Sequence, residues 1–309
     1  MKKCKHKTTI GGQAVIEGIM MRGPYVTSLC VRKSDGEIAQ ETWDTTSGGK
    51  APFYKSIPFI RGIFNMVSTL QVGFRCLMKS ADMARLAEEE PSATEKWLTK
   101  TLGWDPTSIF TTLSVVLGVG LALLLFIILP TTLSSLLRPF LAPISLAWLE
   151  GLFKLLIFII YLFICSQQKD VRRLFSFHGA EHKTIACYEA MDELTVENCR
   201  IYSRFHPRCG TSFIFLILCI SILLSSVVTW ESILMRIALK ILLLPVVVGV
   251  AYELIKLAGR YDNFITQIIS APGLWLQRLT TAEPDDTQLE VAIAALMLVI
   301  PQNSQDDRW

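Results

Sequence analysis

Four long apolar runs constrain this chain more than anything else in it. Residues 109–129, 146–165, 212–228 and 237–257 carry almost no charge. Each is long enough as a helix to cross roughly 30 Å of hydrocarbon. A chain of 309 residues with 51% hydrophobic and only 18% charged side chains is not one soluble globule. The expected fold class is mainly α: a polytopic membrane protein with about four transmembrane helices, amphipathic interfacial helices and a small N-terminal β element. A net charge of +3 is too small to point to nucleic acid, so the lipid bilayer and other membrane proteins are the expected partners.

Lysine and arginine set the orientation. There are 15 before the first run, one (Arg138) between the first and second, seven between the second and third, and one (Arg236) between the third and fourth. Basic residues stay on the cytoplasmic side. The chain is therefore expected in the cytoplasmic (inner) membrane, with both termini and the 166–211 loop in the cytoplasm and the two short connections outside. The basic start, Met1 to Thr9, is followed by no apolar core, so no cleavable signal peptide is expected. The eight cysteines contain no Cys-x-x-Cys pair and read as small buried hydrophobes in a reducing compartment.

Four regions follow. Residues 1–50 form a cytoplasmic β element, with Asp35-Gly36 as a hairpin turn between β-prone runs. Residues 51–105 are amphipathic or interfacial helices: a helical pattern over 56–87, an acidic end at Glu88-Glu89-Glu90-Pro91, and a capping box from Ser92 to Glu95. Residues 106–260 hold the four spans and the 166–211 loop. Residues 261–309 form an amphipathic tail, with a Pro272-Gly273 helix start, a short docking helix beyond Glu283, and a disordered end. Within the spans, Glu150 and Lys154 are expected to snorkel as an i, i+4 pair and Lys240 to snorkel alone. So few intramembrane charges disfavour an ion-coupled transporter.

The 166–211 loop is the densest collection of reactive side chains. Of the four histidines, three (His178, His182, His206) fall within 29 residues. Positions i, i+3 and i+4 share a helix face, so His178, Glu181 and His182 point one way if Ser176 caps a helix from Phe177. His-x-x-Glu-His is the inverted metallopeptidase order, two metal ligands with a glutamate that works on water. Two ligand sets fit a divalent metal, zinc first. In one, His178, His182 and His206 bind, Cys209 completes the set, and Glu181 is the base or supports the ligands. In the other, His178 and His182 are joined by Glu253.

Four stretches carry a resemblance: GGQAVIEGIMMRGP (11–24), FHGAEHKTIACYEA (177–190), SRFHPRCGTSF (203–213) and PGLWLQRLTTAEPDDTQLEVAIAAL (272–296). Together, in this order, they resemble the YqhQ-like bacterial multi-pass membrane family. The resemblance implies a bacterial inner-membrane protein of a family labelled as predicted metal-dependent enzymes. It marks Glu17, Arg22, His178, Glu181, His182, His206, Arg208 and Cys209 as motif positions. The resulting expectation is a metal-dependent hydrolase acting at the membrane surface, with Glu17 and Arg22 reaching the site from the β element. Arg22 suits a phosphate or carboxylate, and peptide and phospholipid-like substrates are both open. A buried Glu17–Arg22 salt bridge is the structural counterpart. The alternative function is a non-catalytic scaffold or assembly factor with a structural metal or none.

The topology has a direct test. A cysteine replacing Arg138 should react with an impermeant maleimide on intact cells, whereas one replacing Gln167 should react only after permeabilisation.

Overall fold

The computed structural model describes residues 5–45, 57–84, 106–227, 232–260, 264–303 and 305–308. The acidic run at 88–91 and the Ser92 capping box lie outside them. The chain divides into two compact units. One comprises Met1–Leu86, Leu162–Ile220 and Pro245–Trp309; the other comprises Ala87–Tyr161 and Ser221–Leu244.

In the first unit, four strands form an antiparallel meander in the order β1 (Gly11–Val15), β2 (Gly18–Arg22), β3 (Val26–Arg32), β4 (Ile38–Asp44). The Asp35-Gly36 turn joins β3 to β4: Gly36 has φ +88°, which only glycine adopts without strain, and the Asp35 carboxylate accepts from the Glu37 amide at 3.0 Å. Residue alternation sends Ile19, Met21 and Cys30 into one apolar core and Met20, Leu29 and Val31 into another. Both faces of the inner strands are therefore covered, which explains why β2 reads as a continuous apolar run rather than an alternating one.

Helix α1 (Ile60–Ala84) covers one face of the sheet with Cys76 and Ala84. Its amino end is joined to a long apolar helix, α8 (Ile233–Arg260), by Arg61, whose Nε and Nη2 donate to Glu253 at 2.8 and 2.5 Å. Gly62 lies against the Tyr252 side chain, where an added Cβ would come within 2.6 Å of it. On its opposite side α1 leaves Ile60, Phe64, Val67, Phe74 and Met78 exposed at helical spacing. That is the pattern of a helix lying on an apolar surface.

Among the described residues, three helices are long and apolar enough to cross a membrane. The first is α2 (Pro106–Leu123), continued through a π-helical turn (Leu124–Ile128) into α3 (Leu129–Leu136). Pro130, just beyond that turn, has no N–H for the carbonyl one turn back, a local cause for the π geometry. The others are α4 (Pro143–Gln167) and α8. The expected count of four is met by three. Residues 212–227 of the third expected run do form a helix, α7 (Gly210–Val227), but its described apolar stretch, Gly210–Leu224, is shorter than a crossing needs.

Four local expectations are corrected. Ser176 does not start a helix: α5 (Lys169–Glu189) begins after Gln168, and the Ser176 hydroxyl donates back to the Arg172 carbonyl. Pro272 is not a start either, because α9 (Phe264–Thr280) runs through it. Glu150, Lys154 and Lys240 do not snorkel. They are buried at 3%, 4% and 5% exposure, so the described structure does hold intramembrane-type charge. Within the described residues 305–308, expected to be disordered, Asp307 is fully buried. Its carboxylate accepts from Thr8 Oγ1 at 2.5 Å and from the Tyr188 hydroxyl at 3.1 Å, and it meets His6 Nε2 at 2.9 Å.

The last helix, α10 (Asp286–Met297), opens with a reciprocal capping box between Asp285 and Gln288. It buries Leu289, Val291, Ala292, Ala295 and Leu296 between the sheet and α5, so it docks on protein with most of its circumference. Asp307→Ala would remove the acceptor of the buried Thr8 hydroxyl and of the partly buried Tyr188 hydroxyl. It should cost about 3 kcal/mol, read as a lowered unfolding midpoint of the detergent-solubilised protein.

Candidate metal centre

Helix α5 is buried from Phe177 onward although that half carries Glu181, His182, Lys183 and Glu189. His178 and His182 are one turn apart on it, with ring centroids at 4.4 Å. A short helix, α6 (Val196–Arg200), capped by the Thr195 hydroxyl, is followed by an irregular loop that ends at Cys209, immediately before α7. Among the described residues, His178, His182 and Cys209 form a grouping suited to a metal ion, with ligand atoms all within 4.8 Å of one another.

The two imidazoles are held alike. His178 Nδ1 lies 2.9 Å from the Thr280 carbonyl, and His182 Nδ1 lies 2.6 Å from the Arg204 carbonyl. A carbonyl only accepts, so each Nδ1 carries a proton, and in the neutral ring it is Nε2 that offers a lone pair. His178 Nε2 is 3.2 Å from Cys209 Sγ. From Thr211 the sulfur accepts the amide and the hydroxyl at 3.4 and 3.3 Å. Burial pushes the His182 pKa down, against the pull of Cys209, which favours the neutral ring that binds metals.

The carbonyl that orients His178 depends on a glycine. Gly179 has the Ala282 carbonyl lying directly on it, where a Cβ would stand, and the Ala282 amide donates to the Phe175 carbonyl at 2.8 Å. The chain beyond α9 therefore crosses α5 in contact and delivers Thr280. Gln277, fully buried on α9, clamps the loop: its Oε1 accepts from the His206 amide at 2.7 Å and its Nε2 donates to the His206 carbonyl at 2.8 Å. Reasoning from the residues missed Gln277, Thr280 and Thr211. The only signal was their place inside the third and fourth motif stretches.

The other expected site residues are not members of this trio. His206 lies alongside, its ring 5.6 Å from that of His182, but its Nε2 faces Glu189 Oε2 at 3.5 Å. Glu253 is occupied by Arg61 and by the Phe59 amide. Glu181 Oε1 accepts from the Gly12 amide at 3.0 Å, and burial raises its pKa against the pull of His178 and that amide. Glu17, at φ 51° in the β1–β2 turn, pairs with Arg173 on α5 rather than with Arg22. Arg22 is exposed at the end of β2, opposite Gly11.

Glu189 organises a second buried set: the Thr8 amide (2.9 Å), Arg208 and His206. Burial works to raise its carboxyl, but His206, Arg208 and the Thr8 amide outweigh it and hold the pKa below the usual carboxylate range.

A family model described as "Protein of unknown function (DUF1385)" matches residues 57–302, a span that includes all three cluster residues but not the sheet. The chain is 34% identical over 297 residues to "Uncharacterized protein YqhQ" of Bacillus subtilis (strain 168), covering 95% of this chain and 92% of that one. No solved structure matches.

The Glu189 set predicts a pH dependence. A carboxyl with a depressed folded pKa adds stability above its unfolded value near 4.5 and loses it as pH falls through the folded value. Arg208→Gln should cost about 3 kcal/mol near neutral pH and move the midpoint of acid unfolding upward, measured by circular dichroism against pH.

Proposed function

The chain belongs to the DUF1385 family, and we propose that it is a bacterial cytoplasmic-membrane protein holding a divalent metal, zinc first, on His178, His182 and Cys209 for hydrolysis at the bilayer surface. One observation carries this reading. Both Nδ1 atoms are bonded to backbone carbonyls, and the ligand atoms of His178, His182 and Cys209 lie within 4.8 Å of one another. Metal-binding histidines are oriented in this way. Neighbouring ligand atoms around tetrahedral zinc lie about 3.4–3.6 Å apart, close to the 3.2 Å between His178 Nε2 and Cys209 Sγ. Three protein ligands, rather than four, are the mark of a site that keeps a position open.

A divalent metal here supplies Lewis acidity toward a carbonyl or phosphoryl oxygen and toward water. The chain's own residues do the rest. Thr280 and Arg204 hold the imidazoles in the right tautomer. Glu181, with Oε1 held by the Gly12 amide, keeps Oε2 to accept and return a proton. Arg22 is left to meet an anionic part of the substrate, and Glu17 positions the β1–β2 turn on α5 through Arg173. Peptide bonds and phospholipid-like esters are both compatible with this set. The bilayer surface is supported by connectivity: α5 follows α4 within two residues, and Cys209 directly precedes apolar α7. The three long apolar helices, with α7, form the membrane part, and the basic 166–211 loop faces the cytoplasm.

A second reading has its own support. The same bonds tie together α5, the loop ending at Cys209, and the end of α9, which is what a purely structural metal in a scaffold protein would do. Elemental analysis of the purified full chain separates these readings. Wild type should carry about one zinc per chain, His178→Ala, His182→Ala and Cys209→Ser should lose it, and Glu181→Gln should keep it while failing to complement a deletion strain. Metal-free wild type would overturn the centre, whereas full complementation by Glu181→Gln would make the metal structural.

A further inference from the structure

The second unit buries a cluster of charges that the metal centre does not use. Glu150 and Lys154 lie on α4, Arg236 and Lys240 on α8, Thr131 on α3 and Ser221 on α7. Glu150 Oε1 accepts from Thr131 Oγ1 at 2.9 Å and from Lys240 Nζ, and its Oε2 accepts from Arg236 Nη2 at 2.7 Å. Lys240 also donates to Thr131 Oγ1 at 3.0 Å. Lys154 Nζ donates to Ser221 Oγ at 2.7 Å, an approach eased by Gly151, whose missing Cβ lets Ile222 of α7 close on α4.

Among the described residues, the charge of this cluster does not balance. Three cations share one carboxylate, an excess of two among these four residues, and Glu150 already has both oxygens occupied. An ammonium as buried as Lys154, at 4% exposure, has three N–H donors; a neutral serine oxygen takes one and brings no charge. Unbalanced charge in a low-dielectric interior costs several kcal/mol per ion unless a counter-charge enters. A network serving only to lock the helices would need one cation per carboxylate.

The charges also lie at graded depth. Arg236 is three residues inside the start of α8 and Lys240 seven, about 10 Å along the axis. Lys154 is 11 residues inside the start of α4, about 16 Å. An anion drawn to this cluster therefore meets a guanidinium near the helix ends and an ammonium below it. We propose that Lys154, Lys240 and Arg236 form an anion site for a phosphate group, held on one side by the Glu150–Thr131 bonds. A phosphate matches the charge excess, and its several oxygens match the open N–H donors and the planar guanidinium fork. The same chemistry is offered by a phospholipid headgroup and by free phosphate.

The full chain in a neutral detergent tests this by thermal unfolding, with sodium phosphate, phosphatidylglycerol or phosphatidylcholine titrated in at constant ionic strength. Wild type should gain a saturable rise in Tm over chloride alone. A rise with inorganic phosphate identifies a free anion, and a rise with phosphatidylglycerol only identifies a headgroup. Lys154→Gln should weaken the half-saturating concentration about tenfold or more, the fold-change expected for one charge-assisted hydrogen bond. Lys154→Arg should retain the response, and His182→Ala should leave it unchanged, which separates it from the metal centre. No rise with either anion in wild type, or an unaltered response in Lys154→Gln, overturns the site. Should Lys154→Gln not fold, native mass spectrometry of wild type decides: a phosphate or phosphatidylglycerol adduct that Lys240→Gln loses supports the site, and its absence rejects it.

Discussion

Helix Lys169–Glu189 buries polar side chains, and the rest of the first unit is arranged to satisfy them. A buried polar group without a partner costs roughly what a lost hydrogen bond does, so each needs one. Glu181 takes the amide of Gly12 in the first strand. His182 takes the Arg204 carbonyl, Lys183 takes the Arg200 carbonyl and Glu283, and Glu189 takes Thr8 and Arg208. These partners come from the first strand, the sequence just before it, the loop ahead of Cys209 and the segment after α9. One helix thereby gathers the unit, and the metal-type trio lies where the gathered pieces meet.

The trio and the buried charges of the second unit answer the same problem in opposite ways. At His178 and His182, backbone carbonyls fix the rings through Nδ1, and their ligand atoms and that of Cys209 lie within 4.8 Å of one another. Around Glu150, charged groups face each other directly and positive charge is left in excess. A neutral, oriented donor set suits a cation, and an excess of buried ammonium and guanidinium suits an anion. The two ligand classes proposed for the chain follow from that difference.

Much of the fold was legible because it is written in short-range patterns. Four strands fill the expected β element, with Asp35-Gly36 at the predicted turn, and α1 falls within the predicted helical stretch. The misreadings came where local signals compete with distant contacts. Ser176 has the residue type of a cap, yet α5 runs through it and its hydroxyl bonds back to the Arg172 carbonyl. Pro272 has the look of a helix start, yet α9 passes it, with the next residue, Gly273, packed against Ser212. Asp307 lies in a polar end segment that composition reads as disordered, but it holds buried groups 299 to 301 residues away.

By itself the sequence determined the helical class, the long apolar segments, the hairpins and the placing of His178 and His182 on one face, since each follows from spacing of a few residues. It could not decide which third ligand joins them. His206 and Cys209 were the nearer candidates along the chain, and Glu253 was the more distant one. The tertiary structure turned His206 toward Glu189, committed Glu253 to Arg61 and left Cys209 at His178. The orienting carbonyl of Thr280 is 102 residues from His178 and reaches it because Gly179 lets another stretch of backbone lie against the helix. No local period encodes such a contact. It exists only once the packing that satisfies the buried polar groups is complete.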